Sequence, residues 1–209
     1  MLKRCIDILG ATAGLLLLSP ILVIVTVWIR IQMGSPVLFR QQRPGLHGKP
    51  FYILKFRTMT TIRDENGNFL SDQDRLTKLG DFLRKTSLDE LPELINVLKG
   101  DMSLVGPRPL LMRYLPYYAS EEMIRHNVRP GITGLAQISG RNLLNWDDRL
   151  NLDVEYVNHH NLPLDLWIIF KTFEKVFRQK DIIIADKNPL QDLDVERKHR
   201  EPRETSNDF

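Results

Sequence analysis

The segment SLDELP (residues 87–92) contains the residues best suited to chemistry, because Asp89 and Glu90 are adjacent carboxylates. Paired carboxylates can do acid–base work or bind a cation. Adjacent carboxylates are also common on solvated surfaces, and Ser87 and Glu90 have the spacing of a helix capping box. An ordinary helix start is therefore the alternative interpretation of this segment.

Pro92 bears on how the segment joins the following helix. If Ser87 is the N-cap, Pro92 falls past the first turn, where its missing N–H matters. If Asp89 is the N-cap, Pro92 lies among the first donors, which lack helical partners anyway. The second arrangement places Asp89 at the positive end of a helix, where it would meet an anion or a cation bound to it.

Basic side chains precede and follow this segment. The planar fork of arginine suits phosphate oxygens, and the prolines on both sides of Arg108 reduce the entropy that it loses on binding. A single arginine is more often a surface salt-bridge partner, so the argument depends on the group. The candidate substrate-binding arginines are Arg84, Arg108, Arg129 and Arg141.

An apolar stretch at residues 8–31 precedes these motifs and is interrupted only by isolated polar residues. It is long enough to cross a hydrocarbon core of about 30 Å as one helix. No small-residue cleavage site follows its first half, which argues against a cleaved signal peptide. The stretch therefore predicts a membrane anchor.

The residues alone leave two interpretations of the anchor open. It is either a straight transmembrane helix or a helix that breaks at Ser19-Pro20 and re-enters the same leaflet, since proline removes a backbone donor and kinks a helix. Basic residues on both flanks favour two cytoplasmic ends, which a single span cannot provide. Those residues are Lys3 and Arg4 before the stretch, Arg30 at its end, and Arg40 and Arg43 after it. In either form the rest of the chain is held at a membrane surface.

The composition of the 209-residue chain fits one folded domain with such an anchor. Hydrophobic residues make up 43% and charged residues 26%, which excludes a chain that is disordered by composition. The net charge of +3 suits phosphates, anionic lipids or nucleic acid without choosing among them. Cys5 is the single cysteine, which excludes an internal disulfide and a cysteine-based zinc site.

The remaining pattern predicts a mainly helical chain with a small β element. Residues 51–55 (FYILK) are typical of a short strand, and residues 88–99 and 146–160 of helices. Residues 163–180 combine a wide apolar face with a basic one, which is typical of an interfacial amphipathic helix and also of a core-facing one. We predict a membrane anchor at residues 1–35, a compact cytosolic catalytic domain at residues 36–185 and a flexible charged tail at residues 186–209.

Several longer motifs resemble, in order, those of the bacterial sugar transferase family, the monotopic phosphoglycosyl transferases. They are KFRTM at residues 55–59, SLDELPEL at 87–94, NVLKGDMSLVGPRP at 96–109, RPGITGLAQISGR at 129–141 and LDVEYV at 152–157. The resemblance runs over most of the chain and looks like the family's minimal form. Within the family, the chain is similar to enzymes that start bacterial N-glycan assembly.

The resemblance implies a reaction and a set of residues. The expected enzyme moves a sugar 1-phosphate from a UDP-sugar to polyprenyl phosphate and releases UMP, with Mg²⁺ as its cofactor. Asp89 would be the nucleophile of a covalent intermediate, and Glu90 would act as an acid–base group or hold the metal. The matched positions are Asp89, Glu90, Lys55 and Asp153 for catalysis, Asp89 and Glu90 for the metal, and Ser19-Pro20 for the break of a re-entrant helix.

The resemblance also implies a location and partners. The expected location is the bacterial inner membrane, with the catalytic domain on the cytoplasmic face in contact with lipid, and downstream glycosyltransferases are further expected partners. Two other functions compete: an inactive membrane-anchored scaffold of glycan assembly, and a basic nucleic-acid-binding protein. The intact catalytic residues argue against the scaffold. The anchor and the lack of a recognised binding motif argue against nucleic acid.

Overall fold

The fold is known from a computed structural model that describes residues 2–140, 144–178 and 191–198. It is mainly helical with a small β element, which confirms that part of the sequence prediction. The helices are α1 (Leu2–Leu17), α2 (Ser19–Met33), α3 (Asp72–Arg75), α4 (Lys78–Lys85), α5 (Glu93–Lys99), α6 (Leu135–Ser139), α7 (Trp146–His159), α8 (Leu162–Arg178) and α9 (Leu193–Lys198). The strands are β1 (Leu38–Pro44), β2 (Pro50–Phe56), β3 (Ser103–Val105) and β4 (Gly131–Thr133).

The N-terminal apolar stretch forms two helices that meet at the predicted break. Pro20 has no N–H to give to the carbonyl of Leu16, and the Ser19 hydroxyl donates to that carbonyl instead at 2.8 Å. Within the described residues, no single helix is long and apolar enough to cross a membrane. Helices α1 and α2 meet that test only as a pair, which is bent by 62°.

The outer parts of the helix pair pack on the rest of the chain, and the break protrudes. Ala11 of α1 is buried against α5 and β2, and Val25 and Ile29 of α2 are buried against β2 and α4. The side chains around the break are exposed although they are apolar. They include Leu16, Leu17, Ile21, Val23 and Ile24.

Buried polar contacts fix the start of α1 to the domain. The Asp7 carboxylate accepts hydrogen bonds from the Ser103 hydroxyl and the Leu104 N–H, both at 2.9 Å. The Asp165 carboxylate accepts from Lys3 Nζ at 2.6 Å and from the Tyr156 hydroxyl at 2.7 Å. We call Lys3, Asp7, Ser103, Tyr156 and Asp165 the anchor seam.

Strands β1 and β2 form an antiparallel hairpin in which Phe39 lies opposite Lys55. The other edge of β2 is completed by a side chain, because Asn96 of α5 accepts from the Leu54 N–H at 3.0 Å and donates to the Tyr52 carbonyl at 2.8 Å. Strand β2 is therefore tied to α5, and the segment before α5 lies beside Lys55.

Strands β3 and β4 pair in parallel, and β3 leads into the Gly-Pro-Arg-Pro segment at residues 106–109. The two backbones approach so closely that a Cβ at Gly131 would lie 2.1 Å from the Gly106 nitrogen, so a side chain is excluded there. The Gly106 N–H donates to the Thr133 carbonyl at 2.9 Å, and the Pro107 carbonyl accepts from the Gly131 N–H at 3.0 Å. These contacts hold the start of the segment that carries Arg108.

Two C-terminal helices bear on the sequence predictions. Helix α8 buries Ile168 and exposes an apolar face, and the exposed side chains are Leu166, Trp167, Phe170 and Phe173. Helix α9 lies in the predicted flexible tail, yet it is packed: Leu193 is fully buried, and Arg197 binds both oxygens of Glu122. The flexibility of the tail stays a prediction, and its residues other than 191–198 lie outside the described ones.

Candidate functional site

Asp89 and Glu90 lie in a 3-10 turn, Leu88–Glu90, that follows a left-handed residue, Ser87, with φ of 56°. The Ser87 side chain makes no capping hydrogen bond. Helix α5 begins only at Glu93, with Pro92 in the N-cap position, where no N–H is needed. Neither cap predicted from the sequence starts this helix, because the left-handed residue ends the preceding segment and a separate turn intervenes.

The Asp89 carboxylate is buried, with 8% exposure. None of the described residues donates a hydrogen bond to it, although buried acceptors in proteins are usually paired. Burial and the charge of Glu90 raise the pKa of Asp89 to about 6, and the cations Lys55, Arg108 and Arg84 only partly offset that rise. The two carboxylate oxygens of Asp89 are therefore available to a ligand.

Glu90 is held on one oxygen by two cations. Its Oε1 accepts from Lys55 Nζ at 2.7 Å and from Arg108 Nη2 at 2.6 Å. Burial alone would raise the pKa of Glu90, but Arg108 and Lys55 outweigh it and hold the pKa well below its usual range. Glu90 is thus an anion in a fixed position beside Asp89.

Glu93 is a third carboxylate that the sequence did not single out. It is 1% exposed, and its Oε1 lies 3.1 Å from Lys55 Nζ. Burial raises the pKa of Glu93 to about 7 despite the nearby charge of Lys55. Glu93 follows Glu90 by three residues and Asp89 by four, and this spacing was the signal in the sequence that the three carboxylates could lie close together. We call Lys55, Asp89, Glu90, Glu93 and Arg108 the dyad cluster.

Two further arginines lie close to the dyad cluster. Arg84 Nε donates to the Thr58 hydroxyl at 3.1 Å, and its charge lowers the pKa of Asp89. Arg43 of β1 was noted in the sequence only as a flanking basic residue. Burial, and to a smaller extent the charge of Arg108, lower the pKa of Arg43 to about 10.

The other predicted site residues occupy different places. Asp153 is not bound to the dyad cluster directly; it is buried and pairs with Arg125 at 2.7 Å. Arg129 donates to the Gly100 carbonyl at 2.8 Å, at the opposite end of α5 from Glu93. Arg141 lies outside the described residues. The structure therefore brings together Lys55, Asp89, Glu90, Arg84 and Arg108, and leaves Asp153 and Arg129 one or more contacts away.

The dyad cluster could bind the predicted Mg²⁺ ion together with substrate phosphates, but not by protein ligands from the described residues alone. The described residues contain no group of three His, Cys, Asp or Glu side chains that could hold a metal by themselves. Mg²⁺, however, is often bound through one or two carboxylates and completed by substrate phosphates and water. The unpaired Asp89 carboxylate could serve in this way, together with Glu90 Oε2, because both described contacts of Glu90 use Oε1.

The sequence matches one protein family over most of its length. The profile described as bacterial sugar transferase matches residues 1–179. Among curated proteins, the uncharacterised sugar transferase EpsL of Bacillus subtilis (strain 168) is 53% identical over 182 residues, which cover 87% of this chain and 90% of EpsL.

Two further relatives differ in length. The exopolysaccharide production protein ExoY of Rhizobium meliloti (strain 1021) is 39% identical over 193 residues, covering 84% of this chain and 85% of ExoY. The UDP-glucose:undecaprenyl-phosphate glucose-1-phosphate transferase of Escherichia coli (strain K12) is 42% identical over 190 residues, covering 86% of this chain but 41% of that protein. The chain thus spans most of the two shorter relatives and less than half of the longer one.

Proposed function

This chain belongs to the bacterial sugar transferase family and is a transferase, and on that premise we propose that it moves a sugar 1-phosphate from a UDP-sugar to undecaprenyl phosphate. The products would be UMP and a polyprenyl-diphospho-sugar, as in the first membrane step of glycan assembly. The name of the Escherichia coli relative describes a reaction of this kind. The likeness to enzymes of N-glycan assembly stays a prediction.

The observation that carries the proposal is the contrast within the carboxylate pair. Asp89 is buried, accepts no hydrogen bond from the described residues and faces three cations, whereas Glu90 is fixed by Lys55 and Arg108. A carboxylate without protein donors keeps its lone pairs for an incoming electrophile. Lys55, Arg84 and Arg108 would stabilise the charge of the two phosphates as it shifts during transfer.

The reaction would take two displacements. An Asp89 oxygen attacks the phosphorus that bears the sugar, the bond from that phosphorus to the bridging oxygen breaks, and UMP leaves with the electron pair. The product is an acyl phosphate on Asp89. A lipid phosphate oxygen then attacks the same phosphorus, the bond to Asp89 breaks, and the carboxylate is restored. Dividing one displacement into two lowers each barrier.

Asp89 and Glu90 would hold Mg²⁺ in this proposal, and the bound ion would neutralise diphosphate charge and stabilise the leaving phosphate. Glu90 already has its position set by Lys55 and Arg108, so it can orient the ligand without moving. Whether Glu90 also transfers a proton is a separate part of the proposal.

The proposed location is the bacterial inner membrane, with the domain on the cytoplasmic face. The bent pair α1–α2 exposes apolar side chains around Ser19-Pro20 while its outer parts are bound to the domain, which supports insertion of the break into one leaflet. The exposed Trp167, Phe170 and Phe173 of α8 would lie at the head groups. Tags on the two termini test this, because both should be cytoplasmic.

The reaction is tested with purified full-length protein in detergent, polyprenyl phosphate, Mg²⁺ and a panel of UDP-sugars, with UMP release as the readout. We expect UMP to appear with at least one sugar, to require lipid for multiple turnover, and to stop when a chelator removes the metal and resume when Mg²⁺ is restored. An Asp81→Asn chain is the matched control, since Asp81 pairs with Lys85 on the surface of α4. Full turnover in excess chelator would contradict the metal-assisted mechanism.

A further inference from the structure

Arg125 and Asp153 form an ion pair that is almost completely removed from solvent. The exposed fractions of the two side chains are 2% and 3%, and Asp153 Oδ2 accepts from both Nε (3.1 Å) and Nη2 (2.7 Å) of Arg125. Removing two charges from water costs about as much as their attraction returns, so a buried pair adds little net stability.

The second set of contacts made by Arg125 points to the dyad cluster. Its Nη2 also donates to the backbone carbonyl of Arg108 at 2.7 Å, and its Nη1 donates to the Tyr118 hydroxyl at 3.3 Å. Arg125 thus joins Asp153 on α7 to the backbone of the Gly-Pro-Arg-Pro segment. On the other side of that backbone, the Arg108 side chain binds Glu90.

The Gly-Pro-Arg-Pro segment is buried at Pro107 and Pro109, but the described residues give its backbone few hydrogen bonds. Pro107 and Pro109 lack N–H groups, so they cannot donate to a neighbouring strand. Strand β4 fastens the segment as far as the Pro107 carbonyl. The next carbonyl along the chain is that of Arg108, and Arg125 holds it. This hydrogen bond therefore helps to set the position of the guanidinium that restrains Glu90.

We propose that Arg125 is a positioning residue that holds the Arg108 backbone so that the Arg108 side chain keeps Glu90 in place, and that Asp153 fixes Arg125. In this assignment Asp153 acts through the ion pair and not on the substrate. The kinetic consequences of this inference rest on the proposed function, because they concern the rate of the proposed reaction. Its structural part, the immobilisation of the segment around Arg108, can be measured without any turnover.

The kinetic test compares three single variants of the full-length protein, with rates expressed per folded molecule. Arg125→Lys keeps the charge but replaces the planar fork with one shorter donor group, so it loses the Nε contact with Asp153 and the Nη1 contact with Tyr118 and draws back from the Arg108 carbonyl. Asp153→Asn keeps the shape but leaves Arg125 unneutralised. We expect both to lower kcat on the order of 10- to 100-fold, as small displacements of catalytic groups do, with KM for the UDP-sugar changing much less.

Arg197→Lys is the matched control. Arg197 also joins a carboxylate to a backbone carbonyl, since it binds Glu122 and donates to the Tyr117 carbonyl at 2.8 Å, but it has no contact with Arg108. We expect Arg197→Lys to keep kcat within about threefold of the unmodified chain, because most of its effect falls on stability. A similar kcat loss in Arg197→Lys and Arg125→Lys would overturn the proposal.

A double-mutant cycle separates positioning from a general structural role. If Arg125 acts through Arg108, Arg125→Lys should cost little further kcat in an Arg108→Ala chain, so the two losses should not multiply. Equal factors in both backgrounds would refute the inference.

Hydrogen–deuterium exchange of the peptide that spans residues 103–111 provides the readout that is independent of turnover. We expect faster exchange in Arg125→Lys and Asp153→Asn than in Arg197→Lys. If the unmodified chain shows no turnover, the proposed function fails, and exchange alone decides the inference: unchanged exchange in both Arg125 and Asp153 variants rejects it.

Discussion

The dyad cluster and the anchor seam both bury carboxylates, but they treat them differently. In the anchor seam, Asp7 and Asp165 each accept two hydrogen bonds from protein donors. In the dyad cluster, three carboxylates share the cations Lys55 and Arg108, and Asp89 accepts no hydrogen bond from the described residues.

This difference separates a structural role from a chemical one. A buried carboxylate with two donors has used its lone pairs, so it fixes one element to another and has little to offer a ligand. A buried carboxylate without donors is costly in the free protein, and the cost is offset when a cation arrives. The two regions should therefore respond differently when their carboxylates and the partners of those carboxylates are replaced.

Asp89→Asn should produce the largest change, because it removes the charge and most of the nucleophilicity while keeping the size. We expect kcat to fall at least ~10³-fold, as it does when covalent nucleophiles are removed. In the unmodified chain, UDP-sugar without lipid should release UMP in an amount near the enzyme concentration. Mass spectrometry should place the sugar-phosphate adduct on the peptide that contains Asp89.

A rival mechanism would give a different result in the same experiment. If the lipid phosphate attacks directly and Asp89 only holds Mg²⁺, no UMP should be released before lipid is added and no adduct should form. That outcome, with an enzyme active in the complete reaction, would reject Asp89 as the nucleophile and leave the overall reaction unchanged.

Lys55→Met should destabilise the fold on the order of 3 kcal/mol, because it leaves Glu90 and Glu93 without the cation that they share. Thermal unfolding in detergent measures the loss. Adding Glu93→Gln should recover part of it by removing one of the two carboxylates. If the double variant were no more stable than Lys55→Met, the contact of Lys55 with Glu93 would contribute nothing.

The sequence predicted the parts of the dyad cluster that belong to recognisable motifs. Asp89 and Glu90 are adjacent in the chain, and the motifs around Lys55 and Arg108 were enough to make both residues candidates. What joins the four residues is non-local: Asn96 ties α5 to β2 and so places Lys55 against Glu90. No local pattern encodes such a side-chain bridge, so the candidates could be named but their contacts could not.

Other features were missed for physical reasons. In the sequence, Glu93 has the position of an ordinary acidic residue in the first turn of α5, and only its burial in the structure makes it unusual. Helix α9 lies in a charged segment, and its order depends on Leu193 entering a distant core and Arg197 pairing with Glu122. The partnership of Asp153 with Arg125 is likewise a tertiary contact across 28 residues. Composition and periodicity do not contain these pairings.

Glu93→Gln should change how stability depends on pH. The folded pKa of about 7 lies above the usual value of 4.5, so the native state binds the extra proton between these values. The stabilisation from that proton is fully present below pH 4.5 and is lost as the pH rises through 7. The stability of Glu93→Gln relative to the unmodified chain should therefore increase from about pH 4.5 to about pH 8, on the order of 3 kcal/mol in denaturant unfolding.

His126 provides an internal reference of opposite sign. Burial and the charge of Arg125 lower the pKa of His126 to about 4, so its contribution is present above its usual pKa of 6.5 and is lost as the pH falls through 4. Both chains contain His126, so its effect cancels in their difference. A difference between the two chains that stays constant with pH would show that Glu93 does not titrate in this range.

The smallest effect is expected at the anchor seam, in Asp7→Asn. The amide oxygen of asparagine can accept from both the Ser103 hydroxyl and the Leu104 N–H, since both donate to the same oxygen of Asp7. Asp7→Asn should therefore stay within about 1 kcal/mol of the unmodified chain and keep its kcat. Asp7→Ala removes the acceptor and leaves the two buried donors unpaired, which should cost about 1–3 kcal/mol in denaturant unfolding.

The same acid-to-amide change is thus tolerated at Asp7, where a carboxylate only accepts hydrogen bonds, and is disabling at Asp89, where the charge of the carboxylate is needed. A loss of kcat in Asp7→Asn comparable with that in Asp89→Asn would mean that the seam takes part in the chemistry, and satisfied hydrogen bonds would then fail to distinguish the two regions.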